Sequence, residues 1–400
     1  MYPHAVQSRN PTPGSQTSLR EANRARIVES LKHHGHLTQV ELAGSTGLSP
    51  ATVSNIVKEL AASGVLNTSV TSRSGRRATE VTLARKLGLV AGIHFSSRHL
   101  RIAISDVGRT VVAENHAPLA LDHRHDRELD RATLLLSDML ESVNASFDDL
   151  LAVGVGLPAP IDARTGMIAT PGLLRGWENV DVAEVMSSRI EVPAFVDNEA
   201  NLGGLAETRS GAARGSRGAV YIRVGHGISA GLVINGAIYH GVTGKAGQIG
   251  HVTIDENGPI CRCGSRGCLD TLAGGPALLE LFRDDPGMQR IRDLLVRAET
   301  GDASARRVIA DAGRHIGIAA ASLSNLFDPE LLVVGGELAQ AGETLLAPMR
   351  HALERSALAG ANGVPEIVQG ELGDRAEVLG CLALAIENVG LETDVLAPRR

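Results

Sequence analysis

The chain has 400 residues, of which 43% are hydrophobic and 21% are charged. This composition excludes a disordered chain and allows more than one hydrophobic core. No apolar run reaches the roughly eighteen residues of a transmembrane helix, and the first residues lack the layout of a signal peptide, so we expect a cytoplasmic protein without a membrane partner. The formal net charge is −6, yet residues 20–86 contain ten Lys or Arg and only five Asp or Glu. A basic segment followed by an acidic remainder predicts a polyanionic partner for that segment.

The basic segment begins with three predicted helices. Apolar residues at helical spacing indicate a first helix that ends at Gly35. Thr38 is predicted to cap a short second helix through Ala43, and Glu41 completes a capping box. Gly47 then allows a tight turn into the third helix.

The third helix is predicted over residues 50–63, with Ser49 as N-cap and Pro50 at its first position. One face is apolar, and the other carries small or polar side chains at the front of the helix. A helix that reads base edges in the major groove needs such side chains. The candidate DNA contacts are Ser49, Ala51, Thr52, Ser54, Asn55 and Lys58.

Residues 66–84 alternate like two strands around Ser74 and Gly75. Arg73, Arg76 and Arg77 lie at the predicted hairpin tip, where they would enter a minor groove or pair with phosphates. Residues 20–86 therefore resemble a winged helix-turn-helix of the bacterial regulator type. The alternative is that the helical pair contacts another protein and that the arginines form a solvated tip.

From residue 89 the chain consists of short apolar runs separated by glycine, which predict two similar α/β halves. Periodicity alone also fits a doubly wound fold. The order of the motifs VGVGLPAPID, VDNEANLGGLAE, GHGISAGLVINGAIYHGVTGKAGQIGH, CRCGSRGCLD and DPELLVVGG resembles the ROK family of repressors, open reading frames and kinases, most closely its repressors of xylose-repressor type. We expect a flexible tail over residues 1–19 and the winged helix-turn-helix over 20–86, and the resemblance implies a two-lobed actin-like ATPase (ribonuclease H-like) sugar-kinase fold over 87–400.

Histidine and cysteine at the spacing H-x9-C-x-C-x4-C predict a metal site formed by His251, Cys261, Cys263 and Cys268. One imidazole and three thiolates suit structural zinc, because four protein ligands leave no open position for water. The alternative is three reduced cysteines that are merely buried. The fourth cysteine, Cys381, lies in an apolar run and is predicted to be a core helix residue.

The ROK resemblance also implies a sugar site formed by Asn198, Glu199, Gln248, His251 and Asp270. Three of these positions depart from the family's kinases: Glu199 replaces the aspartate base, Gln248 replaces a glutamate, and Asp270 is shorter than the usual glutamate.

The two phosphate-binding turns depart from the kinase pattern as well. His94, Ser96 and Ser97 stand in the first turn, where kinases carry D-x-G-G-T, and His226 and Ser229 replace threonine and glycine in the second. Together these changes predict that the chain is not an enzyme.

The expected function is a DNA-binding transcriptional regulator, specifically a repressor, whose operator binding is modulated by a sugar or sugar derivative. Two-fold symmetric operators imply a homodimer or homotetramer. One alternative is an active ATP-dependent sugar kinase with a regulatory DNA-binding domain. Another is a regulator that no longer binds a sugar. Trp177 could stack on a sugar ring or belong to the core.

Overall fold

The computed structural model describes residues 16–73, 76–120, 123–162, 164–170, 172–360 and 363–390. They form two compact units, a smaller one made chiefly of residues 16–88 and a larger one made of residues 89–105 and 111–388. Within these residues no helix combines the length and hydrophobicity that crossing a bilayer would need.

The smaller unit contains three helices and a three-stranded sheet. Its elements are α1 (Gln16–His34), β1 (His36–Thr38), α2 (Gln39–Thr46), α3 (Pro50–Ala62), β2 (Leu66–Arg73) and β3 (Arg76–Leu83). The strand order is β1-β3-β2, with both pairs antiparallel. Helix α1 begins four residues before residue 20, and residues 1–15 of the expected tail lie outside the described residues.

The capping of α2 is confirmed at its start, but its predicted end is wrong. Thr38 and Glu41 form the capping box, in which the Thr38 hydroxyl accepts from the Glu41 amide and the Glu41 carboxylate accepts from the Thr38 amide. The helix continues three residues beyond Ala43, through Thr46. It ends at Gly47, whose φ of 68° is the left-handed conformation that closes a helix at low cost for glycine.

Helix α3 begins as predicted. The Ser49 hydroxyl accepts a hydrogen bond from the Thr52 amide at 3.1 Å, and Pro50 occupies the first turn. The apolar face is buried and consists of Val53, Ile56, Val57 and Leu60.

The larger unit contains two five-stranded sheets and nine of the described α-helices. The first sheet is built from β4 (Leu89–Phe95), β5 (His99–Asp106), β6 (Val111–Pro118), β7 (Leu150–Leu157) and β8 (Ala194–Asn198). The second is built from β9 (Gly218–Val224), β10 (Ile228–Ile234), β11 (Ala237–Ile238), β12 (Leu331–Gly335) and β13 (Glu366–Gln369). The helices are α4 (His125–Ser142), α5 (Val182–Ile190), α6 (Glu199–Ser210), α7 (Asp270–Ala273), α8 (Gly275–Glu280), α9 (Ile291–Glu299), α10 (Ala303–Phe327), α11 (Glu343–Ser356) and α12 (Ala376–Asn388).

The two sheets have the same topology. The strand orders are β6-β5-β4-β7-β8 and β11-β10-β9-β12-β13, so in each sheet the third, second, first, fourth and fifth strands follow one another in space. In both sheets the last two strands are parallel to their neighbours. This repeat confirms the two-lobed actin-like fold and excludes a single doubly wound sheet.

Helices α6 and α12 pack on each other between the sheets, with α6 against β9 and β10 and α12 against β4 and β7. The backbones approach closely at Gly154 of β7, where a Cβ atom would lie 1.9 Å from the carbonyl oxygen of Cys381. Cys381 is fully buried in α12, so its predicted core role is confirmed. Helix α6 begins at Glu199 with Asn198 as its N-cap, which brings two predicted site residues to its N-terminus.

Candidate functional site

The four predicted metal ligands lie together after β11. The ligand atoms of His251, Cys261, Cys263 and Cys268 all lie within 4.8 Å of one another. The Cys263 and Cys268 sulfur atoms are 3.7 Å apart, and the Cys261 sulfur is 3.5 Å from the Nδ1 of His251. Zn–S bonds of about 2.3 Å in a tetrahedron place two sulfur atoms about 3.8 Å apart. The donor set and its spacing therefore fit a tetrahedral metal ion.

Short backbone contacts fold the loop around these ligands. Gly267 has a φ of 60°, and a Cβ atom there would lie 1.5 Å from the Asp255 carbonyl oxygen. The amides of Ile254 and Asp255 both donate to the Gly267 carbonyl. A side chain at residue 267 would therefore push apart the two segments that carry the ligands.

A cavity of about 380 Å³ adjoins the metal ligands. This volume lies within the range of about 300–1,000 Å³ that is usual for small-molecule sites. All five predicted sugar contacts line it: Asn198, Glu199, Gln248, His251 and Asp270. His251 belongs to both groups, since its Nδ1 faces the thiols while the residue also lines the cavity.

Two of the five residues also fix the backbone around the cavity. The Asn198 side chain accepts from the Ala200 amide at 2.9 Å and so caps α6. The Asp270 carboxylate accepts from the Ile228 amide at 2.8 Å, which connects the first residue of α7 to the start of β10.

Glu199 is the centre of a buried ionic network. Its Oε2 lies 3.0 Å from the Nε2 of His94, and its Oε1 lies 3.0 Å from an Nη atom of Arg223. The Nε of Arg223 donates to Glu377 at 3.0 Å, and the Tyr221 hydroxyl donates to the same oxygen at 3.2 Å. All five side chains are buried. Sequence reasoning missed Arg223 and Glu377, although Arg223 stands two residues before the second glycine turn.

The network keeps Glu199 ionised. Burial alone raises the pKa of its carboxyl, but the charge of Arg223 and the hydrogen bond from His94 outweigh burial and hold that pKa below its ordinary value. The two carboxylates beside Arg223 in turn raise the pKa of the guanidinium, against the effect of its burial.

The segment around Ser96, which the ROK resemblance aligns with the first phosphate turn of kinases, is closed by its own hydrogen bonds. The Ser96 hydroxyl accepts from the amides of Arg98 and His99 and is 2.8 Å from the Nδ1 of His99. Burial, reinforced by the nearby His94, Arg223, His116 and Arg101, lowers the pKa of His99 to about 2. The side chain and amides around Ser96 therefore already have internal partners.

Basic side chains that the sequence analysis did not assign to the sugar site also line the cavity. Arg175, His226 and Arg262 are among its lining residues. Burial lowers the pKa of His226, and the charges of Arg262 and Arg98 lower it further. The position of Arg262 between two predicted metal ligands was a signal for it in the sequence.

Trp177 is not available to a ligand. Its side chain is fully buried, its ring lies 5.1 Å from that of Phe95, and its indole nitrogen donates to the carbonyl of His123 at 3.2 Å. Of the two roles left open, the structure favours the core.

The structure shows how exposed most of the candidate DNA-contact residues of the smaller unit are. On α3 the side chains of Ala51, Asn55 and Lys58 are exposed, those of Thr52 and Ser54 are half-buried, and Ser49 is exposed at the cap. Arg73 ends β2 and Arg76 begins β3, the two residues pair in register, and Arg77 is exposed on β3. Ser74 and Gly75, the predicted turn, lie outside the described residues.

Comparisons with known proteins match both units. Residues 90–388 match the model of the ROK family, and residues 20–67 match the model of winged helix-turn-helix DNA-binding domains. The chain is 29% identical to the DNA-binding transcriptional dual regulator NagC of Escherichia coli K12 over 93% of this chain and 96% of that protein. It is 26% identical to the xylose repressor of Caldicellulosiruptor bescii over 94% and 98% of the two chains.

Solved structures show the same fold. A ROK family transcriptional regulator described as a homologue of the E. coli MLC protein superposes with a TM-score of 0.74, at 22% identity, over 93% of this chain and 96% of its own. The ROK hexokinase of Thermus thermophilus superposes with a TM-score of 0.60, at 28% identity, over 74% of this chain and 97% of its own. With its family model matched over residues 90–388, the chain belongs to the ROK family.

Proposed function

We propose that the protein is a transcriptional regulator whose binding to operator DNA is modulated by a sugar or sugar derivative bound in the cavity of the larger unit. One observation carries the proposal: all five predicted sugar contacts line one cavity, in a chain that also contains a winged helix-turn-helix. The full-length likeness to regulators supports it, since NagC and the xylose repressor are covered almost end to end.

The smaller unit, residues 20–86 in this proposal, would read DNA. The exposed amide of Asn55 and ammonium of Lys58 offer hydrogen bonds to base edges and phosphates, and exposed Ala51 allows close approach in the major groove. Arg73, Arg76 and Arg77 would contact the minor groove or the phosphates. A palindromic operator would be bound by a homodimer or homotetramer.

In residues 87–400, Asn198, Glu199, Gln248, His251 and Asp270 would bind the sugar. Carboxylate and amide groups accept and donate hydrogen bonds to hydroxyls, and a missing hydroxyl would leave one of these buried groups unpaired. The metal would be zinc held by His251 and the three cysteines. It would orient the shared histidine and take no direct part in chemistry, because its four protein ligands fill its coordination.

Phosphoryl transfer is the less favoured function. A kinase needs a general base whose pKa is near the working pH. The ion pair with Arg223 lowers the pKa of Glu199, away from that range. The segment that contains His94, Ser96 and Ser97 also has none of the glycines that let backbone amides approach a phosphate.

The effector can act only through a difference in affinity. A sugar that binds one arrangement of the lobes more tightly shifts the population toward that arrangement, and DNA affinity changes only if the two arrangements differ in it. The test is a titration of the full-length protein bound to a selected operator fragment with glucose, xylose, N-acetylglucosamine and their phosphates. A change in DNA affinity with at least one sugar supports the proposal, and no change with any sugar overturns it.

A further inference from the structure

Two residues that depart from the kinase pattern form one contact. By the ROK resemblance, His94 takes the place of the aspartate in the first phosphate turn of kinases, and Glu199 takes the place of their base. The two side chains are 3.0 Å apart although 105 residues separate them in the chain. Arg223 completes the group from the other side of the Glu199 carboxylate.

We propose that Arg223 is a positioning residue of the sugar site, which holds the Glu199 carboxylate ionised and correctly oriented to accept hydrogen bonds from the hydroxyls of a bound sugar. The inference rests on the proposed function, because it assigns Glu199 to a sugar that the cavity binds. The inference adds Arg223, which does not line the cavity, and assigns it a role that acts through Glu199, which does line it.

The orientation of Glu199 follows from its two neighbours. Each carboxylate oxygen has one close partner, Oε2 with His94 and Oε1 with Arg223. An ionised carboxylate offers about four lone-pair positions, so two of them stay available for other donors. Fixed in this way, the carboxylate would discriminate between sugars by the position of their hydroxyls, because a misplaced hydroxyl leaves a buried polar group unpaired.

Arg223 is itself held in place. Glu377 accepts from its Nε at 3.0 Å, and the Tyr221 hydroxyl donates to the same carboxylate oxygen. The guanidinium is planar and presents donors on two edges, so it can contact both carboxylates at once, which an ammonium group does less well. Glu377 thus fixes the orientation of the cation that fixes Glu199.

The network draws on both lobes of the larger unit. His94 lies on β4 of the first sheet, Arg223 on β9 of the second, Glu199 at the start of α6 and Glu377 in α12. The position of the Glu199 carboxylate therefore depends on how the two sheets and the two helices are arranged. A sugar that binds to Glu199 would have different affinities for different arrangements, which is the property an effector requires.

The experiment is a double-mutant cycle on sugar binding by the full-length, zinc-loaded protein. Isothermal titration first finds which of glucose, xylose, N-acetylglucosamine and their phosphates binds most tightly. That sugar is then titrated into Glu199→Gln, Arg223→Met and the double variant, with Arg283→Met, an exposed arginine of the same unit, as control. Arg223→Lys tests rescue by a residue that keeps the charge.

If Arg223 acts through Glu199, each single variant weakens binding at least tenfold, and the double variant binds no more weakly than Glu199→Gln alone. Arg223→Lys recovers part of the loss, and the control binds like the wild type. The inference is overturned if the fold-losses of sugar affinity in the two single variants multiply in the double variant. It is also overturned if Arg223→Met binds the sugar with wild-type affinity.

Arg223→Met leaves two buried carboxylates without a cation, so its folding is checked by circular dichroism. If it does not fold, Arg223→Lys takes its place in the cycle, with the same expectation of losses that do not multiply. If the wild type binds none of the sugars, the proposed function fails and this inference fails with it. If the wild type binds a sugar and the Arg223 variants bind it equally well, only this inference fails.

Discussion

An Nη atom of Arg223 lies 3.0 Å from the Oε1 of Glu199, deep in the larger unit. The ROK resemblance implies that Glu199 stands where the family's kinases have the base that activates the sugar hydroxyl. A carboxylate bound to a guanidinium is a good acceptor of hydrogen bonds and a poor acceptor of protons. We therefore expect the cavity to bind a sugar without phosphorylating it.

The first prediction concerns phosphoryl transfer. We expect no turnover in a coupled ADP assay with ATP, Mg²⁺ and hexoses, pentoses or N-acetylated sugars, because Glu199 is paired and the first phosphate turn is closed by its own hydrogen bonds. Glu199→Asp should not create activity. Sustained turnover by the wild type that Glu199→Gln abolishes would contradict this prediction.

The second prediction concerns the stability at mildly acidic pH. The pKa of His99 in the folded protein is about 2, far below its ordinary value of 6.5, so below pH 6.5 the unfolded chain binds a proton that the folded chain does not. Stability therefore falls as the pH is lowered. Between pH 6.5 and 5 this one group should reduce the free energy of unfolding by about 2 kcal/mol.

The measurement is urea unfolding of the wild type and of His99→Asn at pH 7 and pH 5. The variant should lose less stability than the wild type over this interval, because its amide does not titrate. Equal losses in the two proteins would show that His99 does not contribute.

The third prediction concerns DNA binding. Arg77→Ala and Lys58→Ala should each weaken binding to a selected operator by roughly tenfold at 100 mM salt, and the slope of log affinity against log salt should become shallower by about one for each phosphate interaction that the substitution removes. Fluorescence anisotropy over a range of salt concentrations measures both quantities. Arg283→Ala, a matched change in the larger unit, should leave both unchanged. If Arg77→Ala also leaves them unchanged, the assignment of the hairpin is wrong.

The fourth prediction concerns the metal. The wild type should contain one zinc ion per chain, and Cys263→Ser should lower the zinc content and the melting temperature together, since binding energy at such a site is folding energy. Cys381→Ser is the matched control because this buried cysteine lies outside the ligand cluster. Its zinc content should stay at one per chain, as measured by atomic absorption. A full complement of zinc in Cys263→Ser would contradict the ligand assignment.

Features set by neighbouring residues in the chain were predictable from the sequence. The capping box at Thr38 and Glu41 and the N-cap at Ser49 depend on hydrogen bonds that span three residues, and both are present. The cluster of candidate metal ligands was predictable from spacing, since all four residues fall within one short segment. The end of α2 was missed because both Gly44 and Gly47 could stop a helix, and only Gly47 has the left-handed conformation.

Long-range pairing could not be predicted in the same way. Arg223 has two carboxylate partners that lie on other elements of the fold. Glu377 is 154 residues further along the chain, and Glu199 lies at the start of α6. No local sequence pattern links these three positions, so the sequence alone did not indicate that they form one network. The buried position of Trp177 likewise depends on Phe95 and His123, which belong to other segments of the chain.

The most direct test of the central claim is the anisotropy of the full-length protein on an operator fragment selected from random DNA, titrated with glucose, xylose, N-acetylglucosamine and their phosphates. We predict that at least one of these compounds changes the dissociation constant for DNA at least fivefold, and that Glu199→Gln removes this response without changing DNA affinity in the absence of sugar. Constant DNA affinity across the whole panel would contradict the claim that a sugar in this cavity controls the regulator.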